Sequence, residues 1–118
     1  MTIAISAREP CEFSPVDRRG VRAPFFLLFG DDGHFREAIS NPFARGVADA
    51  PRGVAELLAA EGVDLLMAGH CGQGLHEALE AKSIAFVAAR GAADTLMKQR
   101  AGGLAATGED APSAGAGP

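Results

Sequence analysis

The sequence predicts an α/β fold: a mixed five-stranded sheet with three helices, in the order β-β-β-α-β-α-β-α. Three observations carry that reading. Short apolar runs at residues 25–29 and 65–68 have the length and continuity of strands covered on both faces. Leu75, Ala78 and Leu79 recur at the i, i+3, i+4 spacing of an amphipathic helix, as do Val54, Leu57 and Leu58. The first strands are linked without helical period and the later ones through helices, so antiparallel links are followed by βαβ crossovers.

Residues 2–7 alternate Ile3 and Ile5 with small residues and read as the first strand. Residues 8–24 show no helical period and contain Pro10, Pro15 and Gly20, which makes them a long loop, and loops of that length in compact domains are usually functional or mobile. This loop holds Cys11 and the cluster Arg18, Arg19 and Arg22. After the second strand, Asp31-Asp32-Gly33 signals a hairpin into a third strand over 34–40. There Phe35 and Ile39 alternate with Arg36 and Glu37, a mixture suited to a sheet edge.

Asn41-Pro42 opens another loop, and Asp49 and Pro51 are cap and first-turn residues for a helix through Glu61 that Gly62 ends. The fourth strand stops at Gly69, and Gly72 and Gly74 loosen the turn into the second helix. Residues 84–88 form the fifth strand. Ala93, Leu96 and Met97 mark a last helix that fades near Arg100. From Ala101 the chain is small and Pro/Gly-rich; it cannot bury enough apolar surface to offset its ordering entropy. The expected organisation is one domain over 1–100 and a disordered tail over 101–118.

A length of 118 residues allows a real core without disulfide staples. The net charge of −4 argues against a nucleic-acid-binding surface. Two cysteines far apart, without CxxC spacing, offer neither a disulfide framework nor a self-contained zinc site and suit reduced thiols. No run approaches the roughly 18 to 20 apolar residues of a membrane span, and the N-terminus lacks a secretory pattern. A cytoplasmic protein with no membrane partner is expected.

The chemistry concentrates where the fourth strand ends. His70 and Cys71, two strong metal-binding types, stand side by side at its carboxyl end, where ligands bind in open α/β sheets. His76 follows about one helical turn later. Adjacent residues at a strand end point in opposite directions, so one of the pair can bind while the other packs. If the first and fourth strands are neighbours, the loops after them face each other across a cleft, which brings Cys11 and the arginines toward His70 and Cys71. The bland alternatives are a buried free thiol at Cys71, a turn hydrogen bond for His70, a solvated or capping His76 and a solvated arginine loop.

Five segments, in order, carry a resemblance: TIAISA, SPVDRRGVRAPFFLLF, NPFARG, GVAELLAAEGVDLLMAGHCG and GLHEALEAKSIAFV. Together they span residues 2–100, and the chain resembles the dinitrogenase iron–molybdenum cofactor biosynthesis family, the NifX and NifB C-terminal type of domain. The resemblance implies a ribonuclease-H-like fold that binds, carries or stores an iron–sulfur or iron–molybdenum cluster, with cofactor assembly proteins as partners. The family loop usually has a His or Phe just before Gly-Arg-Ala. Here Arg18 and Arg19 precede Gly20, and Val21 is inserted before Arg22 and Ala23.

Ligand chemistry agrees in kind. Fe–S clusters take thiolates, with His as a substitute, so Cys71 and His70 are the first candidate metal ligands and Cys11 and His76 the next. A carrier of a preassembled cluster needs only one or two of them, and a homodimer could present a set from each subunit. Arg18, Arg19 and Arg22, with the turn at Gly69 and the helix N-terminus at Gly72, suit a cluster's negative charge. An enzyme is not expected: TIAISA has none of the carboxylates that a ribonuclease-H-type metal site needs, and GQG lacks phosphate-loop spacing. The alternative is a cluster-free regulatory or protein-interaction domain of the same fold.

Overall fold

The computed structural model describes residues 1–46 and 49–107, the last seven of these by the path of their helix alone. Strands β1 (Thr2–Ala7), β2 (Phe25–Gly30) and β3 (Phe35–Ser40) are followed by α1 (Ala50–Ala60), β4 (Val63–Ala68), α2 (Gln73–Ala81), β5 (Ala85–Ala88) and α3 (Ala93–Thr107). The five strands form one sheet in the order β3-β2-β1-β4-β5. β2 is antiparallel to both β1 and β3, whereas β1, β4 and β5 run parallel. This is the mixed α/β sheet with three helices that the sequence predicts, with β1 and β4 adjacent and β3 at an edge.

The period-two alternation of the strands divides the core into two layers. Ala4, Phe26, Leu28 and Leu66 point to one face, where Val54, Ala55 and Leu58 of α1 and Leu75 and Leu79 of α2 cover them. Ile3, Ile5, Leu27, Phe29, Leu65 and Met67 point to the other, under Ala93 and Met97 of α3 and Val16 of the long loop. Phe29 also meets Phe35 edge to face, with ring centroids 5.5 Å apart. Because β1 is central and both of its faces are covered, it is largely apolar: Ile3, Ala4, Ile5 and Ala7 are fully buried, as is the small polar Ser6.

Three boundaries differ from expectation. The hairpin closes with Gly30 N–H donating to His34 O, so β3 begins at Phe35 rather than at His34. Ile84 closes the turn after α2, its N–H donating to Leu79 O; it enters the core before the β5 ladder starts at Ala85. Helix α3 continues past Arg100 through Gly102 and Gly103, where low helical propensity, a weak prior, suggests a stop. The expected tail therefore begins as helix, and its residues 108–118 lie outside those described. Among the described residues, no helix is long and apolar enough to cross a membrane.

Parallel alignment of β1, β4 and β5 has one functional consequence. Their carboxyl ends meet at the same edge of the sheet, so the loop after β1, the turn after β4 and the turn after β5 are brought together.

Candidate functional site

The long loop after β1 is stitched across the ends of its neighbours. Asp17 N–H donates to Ser6 O at 2.7 Å, Gly69 N–H donates to Asp17 O at 3.0 Å, and Val16 N–H donates to Gly91 O at 2.8 Å. Isolated bridges join Pro15 to Ala92 and Arg19 to His70. The loop thus threads between the β4–α2 turn and the β5–α3 turn. Gly69 makes this passage possible: a Cβ there would lie 2.7 Å from Arg18 Cα, and a backbone atom cannot swing away as a side chain can. Gly20 sits as tightly above the helix, where a Cβ would come 2.6 Å from Leu75 Cδ2.

The three loops enclose an open cleft of about 860 Å³, lined by Arg18, Arg19, Gly20, Val21 and Arg22 on one wall and by Gly69, His70 and Gly72 on another. Pro15 and Val16 also contribute, and Ala89, Arg90 and Gly91 close the third side. Of the residues singled out from sequence, Arg18, Arg19, Arg22, Gly69, His70 and Gly72 are brought together here.

Cys71, Cys11 and His76 are not part of this lining. Cys71 packs against the α1/α2 core layer, its Sγ 3.5 Å from Gly72 O, and burial pushes its thiol pKa up, away from thiolate. Cys11 is a half-buried free thiol whose carbonyl accepts from Ser14 N–H, in a turn whose Glu12 carbonyl caps the start of α3 by accepting from Asp94 N–H. His76 lies on the exposed side of α2, its Nε2 3.4 Å from a Glu80 carboxylate oxygen. Among the described residues, no three His, Cys, Asp or Glu side chains gather as a metal-binding set. His70 is the one imidazole or thiol in the cleft lining.

The cleft is strongly cationic. Arg18, Arg22 and Arg90 are exposed and make no ion pair among the described residues. Arg19 is held by Asp17, whose carboxylate accepts from Arg19 Nε at 3.0 Å, Nη2 at 2.9 Å and the backbone N–H at 2.8 Å. Burial by itself raises the Asp17 pKa; the hydrogen bonds and charge of Arg19, aided by Arg8, outweigh it and hold the carboxyl below its ordinary value. The Arg22 guanidinium lies against Gly46, and the stretch that carries it is pinned by Asn41. That buried amide donates to Val21 O at 2.6 Å and Ala23 O at 2.8 Å, while its Oδ1 accepts from Phe43 N–H at 2.9 Å.

Sequence reasoning missed Arg90 and Asn41. Arg90 directly follows β5, so the rule that strand carboxyl ends bear ligands, applied to His70, applies to it equally. Asn41 carried no such signal, since its partners lie far away in sequence.

The model of the family described as dinitrogenase iron-molybdenum cofactor matches residues 1–102. The chain belongs to that family. Members of the dinitrogenase iron-molybdenum cofactor family share a name that ties them to this cofactor, and the expected family resemblance is thereby established. The apo form of the orange protein from Desulfovibrio gigas is a similar solved structure, with TM-score 0.78 and 24% identity over 86% of this chain and 88% of that one. A Thermotoga protein provisionally named as a NifB has TM-score 0.68 and 23% identity over 86% and 88% of the two chains. At these identities the likeness concerns the fold. Comparison with curated proteins finds no match.

Proposed function

We propose that this member of the family binds and carries an iron–sulfur or iron–molybdenum cluster, or its precursor, during nitrogenase-type cofactor assembly, as a carrier rather than an enzyme. The observation that carries the reading is the convergence of Arg18, Arg22 and Arg90, unpaired among the described residues, with His70 around one open cleft. Metal–sulfur clusters are bulky anions, and guanidinium groups from two loops suit such a cargo better than a neutral one. The N-terminus of α2 at Gly72 adds a partial positive charge on the same wall.

His70 supplies one exposed imidazole, sufficient to ligate a preassembled cluster that must later be released. Cys71, outside the cleft lining and in contact with the α1/α2 core layer, is read here as a packing residue, with His70 as the preferred ligand. The reading extends to a cytoplasmic site of action, to cofactor assembly proteins as partners, and to a second copy as a source of further ligands. The strand order, with β2 reversed, supports a ribonuclease-H-like description of the fold.

The test is anaerobic titration of the purified protein with isolated iron–molybdenum cofactor, followed by visible absorption and metal analysis. Uptake should fall roughly tenfold or more in His70→Ala, the scale of one lost ligand or charge-assisted contact, and hold in Cys71→Ala. Loss in Cys71→Ala alone would transfer ligation to the thiol. No uptake by the unmodified protein would favour a cluster-free interaction domain.

A further inference from the structure

Among the described residues, Asp17 is the one acidic side chain that is both large and fully buried, 2% exposed, and it stands beside a cleft whose charged lining residues are all arginines. For an anion-binding site a carboxylate in this position is electrostatically adverse, because it offsets the field of the surrounding arginines. Its geometry gives a reason for its presence. The carboxylate grips Arg19 through both a side-chain fork and the backbone N–H, while its own backbone ties β1 to β4 through Ser6 O and Gly69 N–H. The residue between them, Arg18, lies with its Cα over Gly69, and Arg19 is bridged to His70.

We infer that Asp17 is a positioning residue for the cleft: it fixes the Arg19 guanidinium and the Arg18–Arg19 backbone beside His70 before the ligand arrives. This rests on the anionic-cargo reading above and deepens it. Arg19 has a long side chain that is 59% exposed, and left to itself it would lose rotamer freedom on binding. With Nε and Nη2 engaged by Asp17, that ordering is completed in the free protein, and Nη1 remains available to the ligand. Arg18, Arg22 and Arg90 have no such partner among the described residues, which makes Arg19 the fixed point of an otherwise adaptable wall.

The inference makes a prediction opposite in sign to simple electrostatics. Removing a negative charge beside the cleft in Asp17→Asn should tighten the binding of an anion if charge alone matters. If positioning dominates, it should weaken it, on the order of tenfold. The probe is isolated iron–molybdenum cofactor, titrated anaerobically into unmodified protein, Asp17→Asn, Arg19→Gln and the double variant. The expected result is weaker binding in Asp17→Asn, and no further effect of Asp17→Asn in the Arg19→Gln background, because Asp17 acts through Arg19.

Equal or tighter binding by Asp17→Asn overturns the inference while leaving the carrier reading intact, as does an undiminished effect in the double variant. Absence of uptake by the unmodified protein removes the carrier reading and this inference with it. Should Asp17→Asn fail to fold, Asp17→Glu keeps the charge and moves the carboxylate by one methylene. A severalfold loss of affinity is then expected, and unchanged affinity overturns the positioning role.

Discussion

The cleft and a groove on the helical face are both lined by charged residues, and they differ in where the charges come from. The groove between α1 and α2, about 570 Å³, is lined by Asp49, Arg52, Glu56, Glu77 and Lys82 among others. Both signs of charge meet there, and two contacts lie one helical turn apart: Arg52 Nε donates to Glu56 at 3.2 Å and Gln73 Nε2 to Glu77 at 3.0 Å. In the cleft at the strand ends, four arginines arrive from two loops, and only Arg19 has a carboxylate partner among the described residues. Mixed charges along helices offset one another; like charges gathered from separate loops cost repulsion in the free protein, which a bound anion would relieve.

The strongest way to break that comparison is to neutralise each depression in turn. The triple substitution Arg18→Gln, Arg22→Gln, Arg90→Gln should weaken uptake of isolated iron–molybdenum cofactor by about a thousandfold or more, since each charge-assisted contact contributes roughly 1.5–3 kcal/mol. Arg52→Gln in the groove should leave uptake unchanged. Comparable losses from both would mean that net charge, rather than the cleft, attracts the cargo.

The glycines sharpen the same contrast. Gly69→Ala puts a methyl 2.7 Å from Arg18 Cα and should destabilise the fold by about 1–3 kcal/mol, read by urea unfolding, with a parallel loss of cofactor uptake. Gly74, on the groove side, has Pro51 Cγ at 3.5 Å from a built Cβ, an ordinary contact. Gly74→Ala should therefore be neutral, or stabilising by up to roughly 1 kcal/mol through helix propensity. A Gly69→Ala protein as stable as the unmodified one would show that the Arg18 loop yields easily.

The smallest effect expected is a pH dependence. The Asp17 pKa is lowered in the folded protein from its ordinary 3.8, so ionised Asp17 contributes stability that is fully present above that value. The contribution disappears as pH falls through the lower, folded-state pKa. Asp17→Asn should thus destabilise the protein at neutral pH, and the gap to the unmodified protein should narrow in strong acid. A gap independent of pH in urea unfolding would assign the cost to shape alone.

Much of the fold was legible because its signals are local. Apolar runs at 25–29 and 65–68, the Asp31-Asp32-Gly33 turn, and Leu75, Ala78 and Leu79 at helical spacing each report on a few consecutive residues. The charged residues of β3 announced its edge, and Arg36 and Glu37 are indeed exposed. The site was legible in part: His70, Gly69, Gly72 and the arginines of the long loop line the cleft, whereas Cys11, equally a loop residue, stays with the start of α3. Loop membership does not say which neighbour a loop residue will meet.

By itself, then, the sequence determined the order of the elements, the apolar faces they bury and the glycine turn that ends β4. Period and turn chemistry act over a handful of residues and need no distant partner. Only the tertiary structure decided that Arg90 joins Arg18 and Arg22, that Asn41 pins the loop, and that His70 lines the cleft while Cys71 packs on the core. Those outcomes depend on the parallel alignment of β1, β4 and β5, which follows from burying both faces of the sheet at once. No local pattern of residues records such a long-range constraint.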